Sequence, residues 1–366
     1  MGLLANPASV SSDLAHISDI LLKRGVRLKA VFGPQHGYRG ETQANMIEWQ
    51  GYTDKRSGIP VYSLYGQNRS PTPEMLDGLD LVIIDLQDVG ARCYTYTWTA
   101  ALMIKACAGN EVAVIIADRP NPIGGKSIEG PLIREGYRSF VGLHPIPLRH
   151  GLTMAEALNM INSEWSLDCD LETVPCTGWE RGMYFSDTGL PWVMPSPNMA
   201  GHSTALVYPG TVMLEGTNIS EGRGTVLPFE IIGAPYIEPR DFSCELSRRN
   251  PGGAIFRPLH FKPTWDKHAG EVCGGVQIHI SNPDLFYPVR TGAWIIHTAA
   301  TLYPEDFRFL PPPYEYETEK MPIDIISGSA RLRRSVEEGT SPEGLFREWA
   351  EEEKNFGKRS KPYRIY

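Results

Sequence analysis

Several familiar patterns are missing from this 366-residue chain, and each absence narrows what it can do. Its six cysteines, Cys93, Cys107, Cys169, Cys176, Cys244 and Cys273, form no CxxC pair and have no zinc-type spacing with histidine. No tightly bound zinc is therefore expected. The thiols read as small buried hydrophobes, with a Cys169–Cys176 bridge open in an oxidising compartment. Gly33, Gly37 and Gly40 are spaced GxxxGxxG, so there is no dinucleotide fingerprint, and there is no Walker A pattern. No cofactor is implied. The nucleophile elbow GxSxG is also missing, which counts against an α/β-hydrolase esterase. No apolar run reaches membrane-spanning length. Leu3 to Ala5 meets Asn6-Pro7 at once, so no signal-peptide pattern opens the chain and the compartment is undetermined. Positive charge is in short supply. With 35 Lys and Arg against 43 Asp and Glu, the net charge is −8 and the pI near 5.7, which argues against a nucleic-acid partner. The basic cluster Lys354, Lys358, Arg359 and Lys361 reads as a solvated tail. There is no internal repeat and no low-complexity linker.

What is present is an alternation of apolar runs and helical stripes. GLLANPAS reads as the tail of a buried strand whose first half would precede this chain. Apolar residues at Leu14, Ile17, Ile20, Leu21 and Leu22 predict a helix over 12–23. Strands follow at 28–32, 61–64, 79–86 and 112–117, with helices at 72–78 and 97–107 between them. This order predicts a parallel sheet of βα units with helices on both faces, and adjacent parallel strands at 79–86 and 112–117. From about Ser139 the texture becomes Pro-rich. Thr153 with Glu156 predicts a capping box on a helix to Trp165. Mixed elements follow, including a strand at 275–280, a helix at 291–302 and a packed closing element around Trp349 and Phe356. The length predicts two domains, and the change of texture near 139–151 divides them as 1–145 and 146–366.

The densest polar stretch is EGTNISEGRGTVLPFE, Glu215 to Glu230, with three interleaved glycines and no regular period. It reads as a loop held against a core, where glycine permits close approach of backbone to a ligand. In parallel sheets ligands bind at the carboxyl ends of the strands. That rule singles out four segments, 33–41, 64–69, 85–98 and 118–122. Glu41, Asp85, Asp88 and Asp118 are acids at strand ends, although each such acid can simply cap a turn. His36 in its glycine turn is open to a catalytic, ligand-binding or structural role. Arg92 and Arg223, each near glycine, suit a carboxylate ligand or an internal ion pair. Tyr94, Tyr96 and Trp98 would share one face if extended, suited to a sugar ring or to the core. Carboxylates, amides (Gln87, Asn121, Asn198 and Asn218), aromatics and arginine together point to a polar, neutral-to-anionic ligand such as a carbohydrate. Glycosidases place two carboxyl groups, or one plus the substrate's acetamido group, around an oxocarbenium-like transition state.

At FGPQHGYRG (32–40), DLQDVGARCYTY (85–96), DRPNP (118–122), PSPNM (195–199), YPGTVMLEGTNISEGRGT (208–225) and PFEIIGAP (228–235) the chain resembles the NamZ-type exo-β-N-acetylmuramidases. The resemblance runs over almost the whole length. It implies a Rossmann-like N-terminal domain, a smaller α+β C-terminal domain with a cleft between the two, and release of N-acetylmuramic acid from the non-reducing ends of peptidoglycan fragments. On this reading Gln35, Glu221 and Glu41 form the catalytic group. His36, Asp85, Gln87, Asp88, Arg92, Tyr96, Asp118, Asn121, Asn198, Asn218 and Arg223 bind substrate, with Arg92 or Arg223 on the lactyl carboxylate. One position departs from the pattern. The family's usual motif is GPEHG, and this chain has Gln35 where that motif has Glu. An amide cannot donate a proton as a carboxylic acid does, and general acid catalysis is worth roughly 10²–10⁴ in rate. If the acid belongs at 35, parent activity is low and Gln35→Glu raises it at least about tenfold. The alternatives are a binder of muropeptides or amino sugars that uses the same cleft without cleavage, and an enzyme of another reaction on an acidic sugar.

Overall fold

The computed structural model describes residues 1–44, 46–249 and 252–366. Its strands are β1 (Gly2–Ala5), β2 (Ala30–Gly33), β3 (Tyr52–Thr53), β4 (Pro60–Ser63), β5 (Leu81–Asp85), β6 (Ala113–Ala117), β7 (Leu171–Val174), β8 (Ile231–Ala234), β9 (Ala254–Phe261) and β10 (Cys273–Ile280). Its helices are α1 (Ile17–Lys23), α2 (Pro73–Leu76), α3 (Tyr96–Ala108), α4 (Met154–Glu164), α5 (His202–Thr211), α6 (Pro239–Arg249), α7 (Pro288–Leu302), α8 (Pro322–Ser327), α9 (Arg331–Glu337) and α10 (Glu343–Ser360).

The first seven strands form one sheet in the order β3-β4-β2-β1-β5-β6-β7, parallel except for the short edge strand β3. β1 is the centre. Leu3, Leu4 and Ala5 are fully buried between β2 and β5, as a near-continuous apolar strand covered on both faces requires. β5 and β6 are parallel neighbours, as their spacing predicts. The strand order reverses at β1, so the loops after β2 and β5 open beside the crevice where such sheets bind ligands. The second sheet is smaller and antiparallel, in the order β8-β10-β9, with α6 packed on it and α5 against α7 beside it. The whole is an α/β protein with a Rossmann-like sheet and a second α+β unit.

Local chemistry sets the element ends. Thr153 accepts from the Glu156 amide while the Glu156 carboxylate accepts from the Thr153 amide, the capping box foreseen for α4. α1 starts later than its apolar stripe suggests. Leu14 sits at φ +66°, a short bridge ties Val10 to His16, and His16 itself caps the helix. The expected boundary at 145 falls inside the sheet unit, because β7 pairs with β6 and so carries that unit to at least residue 174. The six cysteines are all unbridged. Cys169 is buried, and the Cys176 thiol lies against the Tyr366 hydroxyl.

Arg92 ties the two units together. Its guanidinium is fully buried and donates to the carbonyls of Pro131 (2.7 Å) and Ile146 (2.8 Å) on one side and Ile326 (2.7 Å) on the other. Each buried carbonyl left without a donor costs about 1–3 kcal/mol. Arg92→Met is therefore expected to lower the unfolding free energy by at least about 3 kcal/mol in urea titration. A loss below about 1 kcal/mol would show that the strut carries little of the interdomain stability.

Candidate active site

The two units meet around one small buried cavity. Gln35 and His36 reach it from the loop after β2, and Tyr94, Thr95 and Tyr96 from the turn between β5 and α3. The other wall brings Ser196, Asn198, Tyr208, Glu215, Arg223, Tyr314 and Glu315. The cavity holds about 30 Å³, room for about two waters. Glu215, Arg223 and Tyr314 also line a groove of about 430 Å³, together with Trp265, Asp266 and Lys267, so cavity and groove adjoin.

Gln35 is pinned on both ends of its amide. Thr95 donates to its Oε1 (2.7 Å), and its Nε2 donates to Glu315 Oε1 (3.1 Å). The Tyr65 hydroxyl donates to the other Glu315 oxygen at 2.8 Å. Glu315 is only 3% exposed and sits at φ +46°, a left-handed conformation uncommon for a side chain of this size. Burial pushes its carboxyl up to about 7 and nearby Glu215 adds to the rise, against the hydrogen bonds from Tyr65 and Gln35 and the charge of Arg69. His36, also at positive φ, holds the Thr42 carbonyl through Nδ1 at 2.7 Å. Burial lowers it to about 4, with Arg223 acting in the same direction, so it is a neutral imidazole whose Nε2 remains an acceptor. The Tyr94 hydroxyl is buried without a hydrogen-bond partner among the described residues, beside the rings of Tyr96 and Tyr208.

The polar loop supplies a chain of ions. Arg223 donates to Glu221 (2.5 Å) and Glu215 (2.8 Å), Lys267 donates to Glu221 (2.9 Å), and Tyr314 donates to the second Glu215 oxygen (2.7 Å). Burial alone would raise the Glu221 carboxyl, but Lys267 and Arg223 hold it well below the usual carboxylate range. The glycines beside Arg223 serve protein packing. A Cβ on Gly222 would stand 2.2 Å from the Ile231 carbonyl oxygen, and one on Gly224 2.4 Å from that of Trp265. Both have positive φ, so the loop lies flat on its neighbours and presents Arg223 inward.

Of the residues singled out in the sequence, Gln35, His36, Tyr96, Asn198 and Arg223 line the cavity. The others lie elsewhere. Glu41 is exposed and accepts from the Arg39 amide, and Glu221 lines the outer groove as an ion-paired carboxylate. Arg92 is the interdomain strut, with each of its terminal nitrogens on a carbonyl. Asp85 pairs with Arg119, Gln87 donates to the carbonyls of Asp88 and Pro120, and Asp88 accepts from the Gly90 amide. Asp118 accepts from the Ala155 amide in the first turn of α4, Asn121 holds the Leu152 carbonyl, and Asn218 braces Tyr236, Arg308 and Asp306. Tyr94, Tyr96 and Trp98 are not extended. They turn into α3, where Trp98 is buried and donates to the Arg92 carbonyl. Sequence reasoning missed Glu315, whose one signal is an acid between two tyrosines just after three prolines. Glu215 was in view as part of the loop, without a role of its own.

A buried carboxyl, a cation and several aromatic rings around one cavity beside an open groove suit a polar ligand such as a carbohydrate, and comparison with known proteins gives the class, a glycosidase. The chain belongs to the exo-beta-N-acetylmuramidase NamZ family, whose N-terminal domain model matches residues 1–203 and whose C-terminal domain model matches 206–366. It is 45% identical over 367 residues to the peptidoglycan beta-N-acetylmuramidase NamZ of Bacillus subtilis (strain 168), covering 100% of this chain and 86% of that protein. Crystal structures of two DUF1343 family proteins of Bacteroides fragilis share the fold. One has a TM-score of 0.89 at 35% identity, the other 0.76 at 28%, and each match covers 100% of this chain and 93% of the other.

The raised Glu315 carboxyl links protonation to stability. Its proton is held more tightly in the folded state, so its contribution is full below about pH 4.5 and is lost as pH rises through about 7. Replacing it by Gln should flatten the decline of unfolding free energy between those limits by roughly 3 kcal/mol. Asp88 and Glu129, also raised to about 7 by burial, keep their share in the variant. Parallel stability curves for parent and Glu315→Gln would show that Glu315 titrates normally.

Proposed function

We propose that this chain releases N-acetylmuramic acid from the non-reducing ends of peptidoglycan fragments. The observation that carries the reading is full-length identity of 45% to a peptidoglycan beta-N-acetylmuramidase, joined to a carboxyl-bearing cavity at the meeting of the two units. The inner cavity is smaller than a pyranose, while the adjoining groove of about 430 Å³ is of ligand size. The sugar ring therefore occupies the groove, with Trp265 offering an aromatic face, and its reacting groups reach the inner cavity. Muramic acid differs from glucosamine by a lactyl ether carboxylate. Arg223 is a cation of the cavity wall, and its buried Nε–H has no partner among the described residues. That unused donor fits one lactyl oxygen.

Gln35 favours a second reading, in which the same cleft binds such sugars without cutting them. The two separate on the disaccharide of N-acetylmuramic acid β-linked to N-acetylglucosamine. Appearance of both free sugars by chromatography is the expected result, and binding with the disaccharide left intact would favour the second reading.

Arg223→Lys should weaken N-acetylmuramic acid more than N-acetylglucosamine in calorimetry, by roughly 1.5–3 kcal/mol in the difference. Equal losses for both sugars would remove Arg223 from recognition of the lactyl group.

A further inference from the structure

We propose that Glu315, delivered from the C-terminal unit, is the proton donor to the leaving sugar, with Gln35 and Tyr65 as the positioning residues that hold its carboxyl at the cavity. This assignment rests on the muramidase reading and names the acid within it. Three observations place Glu315 in the role. It lines the cavity, while Glu41 is at the surface and Glu221 is tied to two cations. Both its oxygens are oriented, by Gln35 Nε2 at 3.1 Å and the Tyr65 hydroxyl at 2.8 Å. Its backbone is held at φ +46° and that of Tyr316 at +68°, with Arg69 stacked 3.3 Å above the Tyr316 ring. Strained backbone of this kind persists where the surroundings over-determine it and clusters at functional sites.

The environment also suits a carboxylic acid that keeps its proton near neutral pH. Burial and Glu215 raise it, so it remains an acid where an exposed glutamate would be ionised. The step balances without any further reagent than water. The Glu315 proton moves to the glycosidic oxygen as the C1–O bond breaks, and the leaving sugar departs as a neutral alcohol. Water supplies the oxygen that ends on C1, and its proton restores Glu315.

Gln35 then has a reading of its own. A carboxyl at position 35 would stand about where the amide nitrogen is, 3.1 Å from Glu315. Two carboxyls that close share one proton and titrate as a pair. Gln35 replaces that pair by a single acid with a neutral donor beside it, so the chain retains a proton donor despite lacking one at 35.

The test compares parent and Glu315→Gln on two substrates, the muramic acid–glucosamine disaccharide and a 4-nitrophenyl muramoside. Nitrophenolate leaves without protonation, whereas a sugar alkoxide does not. Glu315→Gln is expected to lose at least about 100-fold in kcat on the disaccharide and less than about tenfold on the nitrophenyl glycoside. A structural role for Glu315 predicts equal losses on both, and that result, or no loss on either, overturns the assignment while leaving the muramidase reading in place. A parent that cleaves neither substrate overturns the reading and the assignment together. Gln35→Glu gives a second, independent test. The alkaline limb should move to higher pH as the new carboxyl joins Glu215 beside Glu315, with Tyr65, Tyr316 and Arg69 unchanged. A gain of tenfold or more with an unmoved limb would put the acid at 35 and overturn the proposal.

Discussion

The hydrogen bond from Gln35 to Glu315 joins residues 280 positions apart and closes the seam between the two units. Burying a carboxyl costs free energy unless it is hydrogen-bonded or neutral. Here the carboxyl receives one bond from the amide of the β2 loop and one from Tyr65 of the same unit, so it can be buried only when the two units are docked. The docking is itself enforced elsewhere along the seam, where Arg92 binds carbonyls from both sides. Fold and site thus depend on the same contact surface. The cavity is the small space left where two sets of loops, each fixed by its own sheet, fail to fill the seam.

The charges on the C-terminal wall follow the same logic. Arg223 and Lys267 lie beside Glu215 and Glu221, and a buried ion cluster of this kind gains little over an apolar core. Its geometry is a better reason for its presence. The cluster ties the glycine-rich loop down and holds Arg223 at the cavity. It also fixes Glu221 as a carboxylate while Glu315, with no full counter-charge bonded to it, is pushed toward neutrality. Two glutamates on one wall are thereby driven apart in protonation, the arrangement that acid–base chemistry uses.

Much of the fold was legible in the sequence because it rests on local signals. The apolar runs at 79–86 and 112–117, the Thr153–Glu156 box and the helical stretch at 97–107, which forms within α3, each report on their own neighbourhood. The site was legible in part. His36 and Arg223 stood out beside glycines and Gln35 through the family motif, and all three reach the cavity. Acids at strand ends were over-read. Asp85, Asp88 and Asp118 serve Arg119, the Gly90 turn and the start of α4, which is the commoner fate of such residues. Arg92 looked like an anion receptor, but its bonds go to carbonyls that lie far apart in the chain. Glu315 was missed for the converse reason. Only the flanking tyrosines and prolines mark it in sequence, and its character comes from Gln35, Tyr65 and Glu215, which only the folded chain brings to it.

The central claim is that substrate binds at this seam with the Glu315 carboxyl in reach. A crystal structure with N-acetylmuramic acid bound tests it most directly. The account predicts the pyranose in the groove beside Trp265, its lactyl carboxylate on Arg223, and its anomeric oxygen turned toward Glu315 through the inner cavity. A sugar seated elsewhere would contradict it, for example in the cavity of about 490 Å³ between α1 and β2, lined by His16, Tyr38 and Arg39.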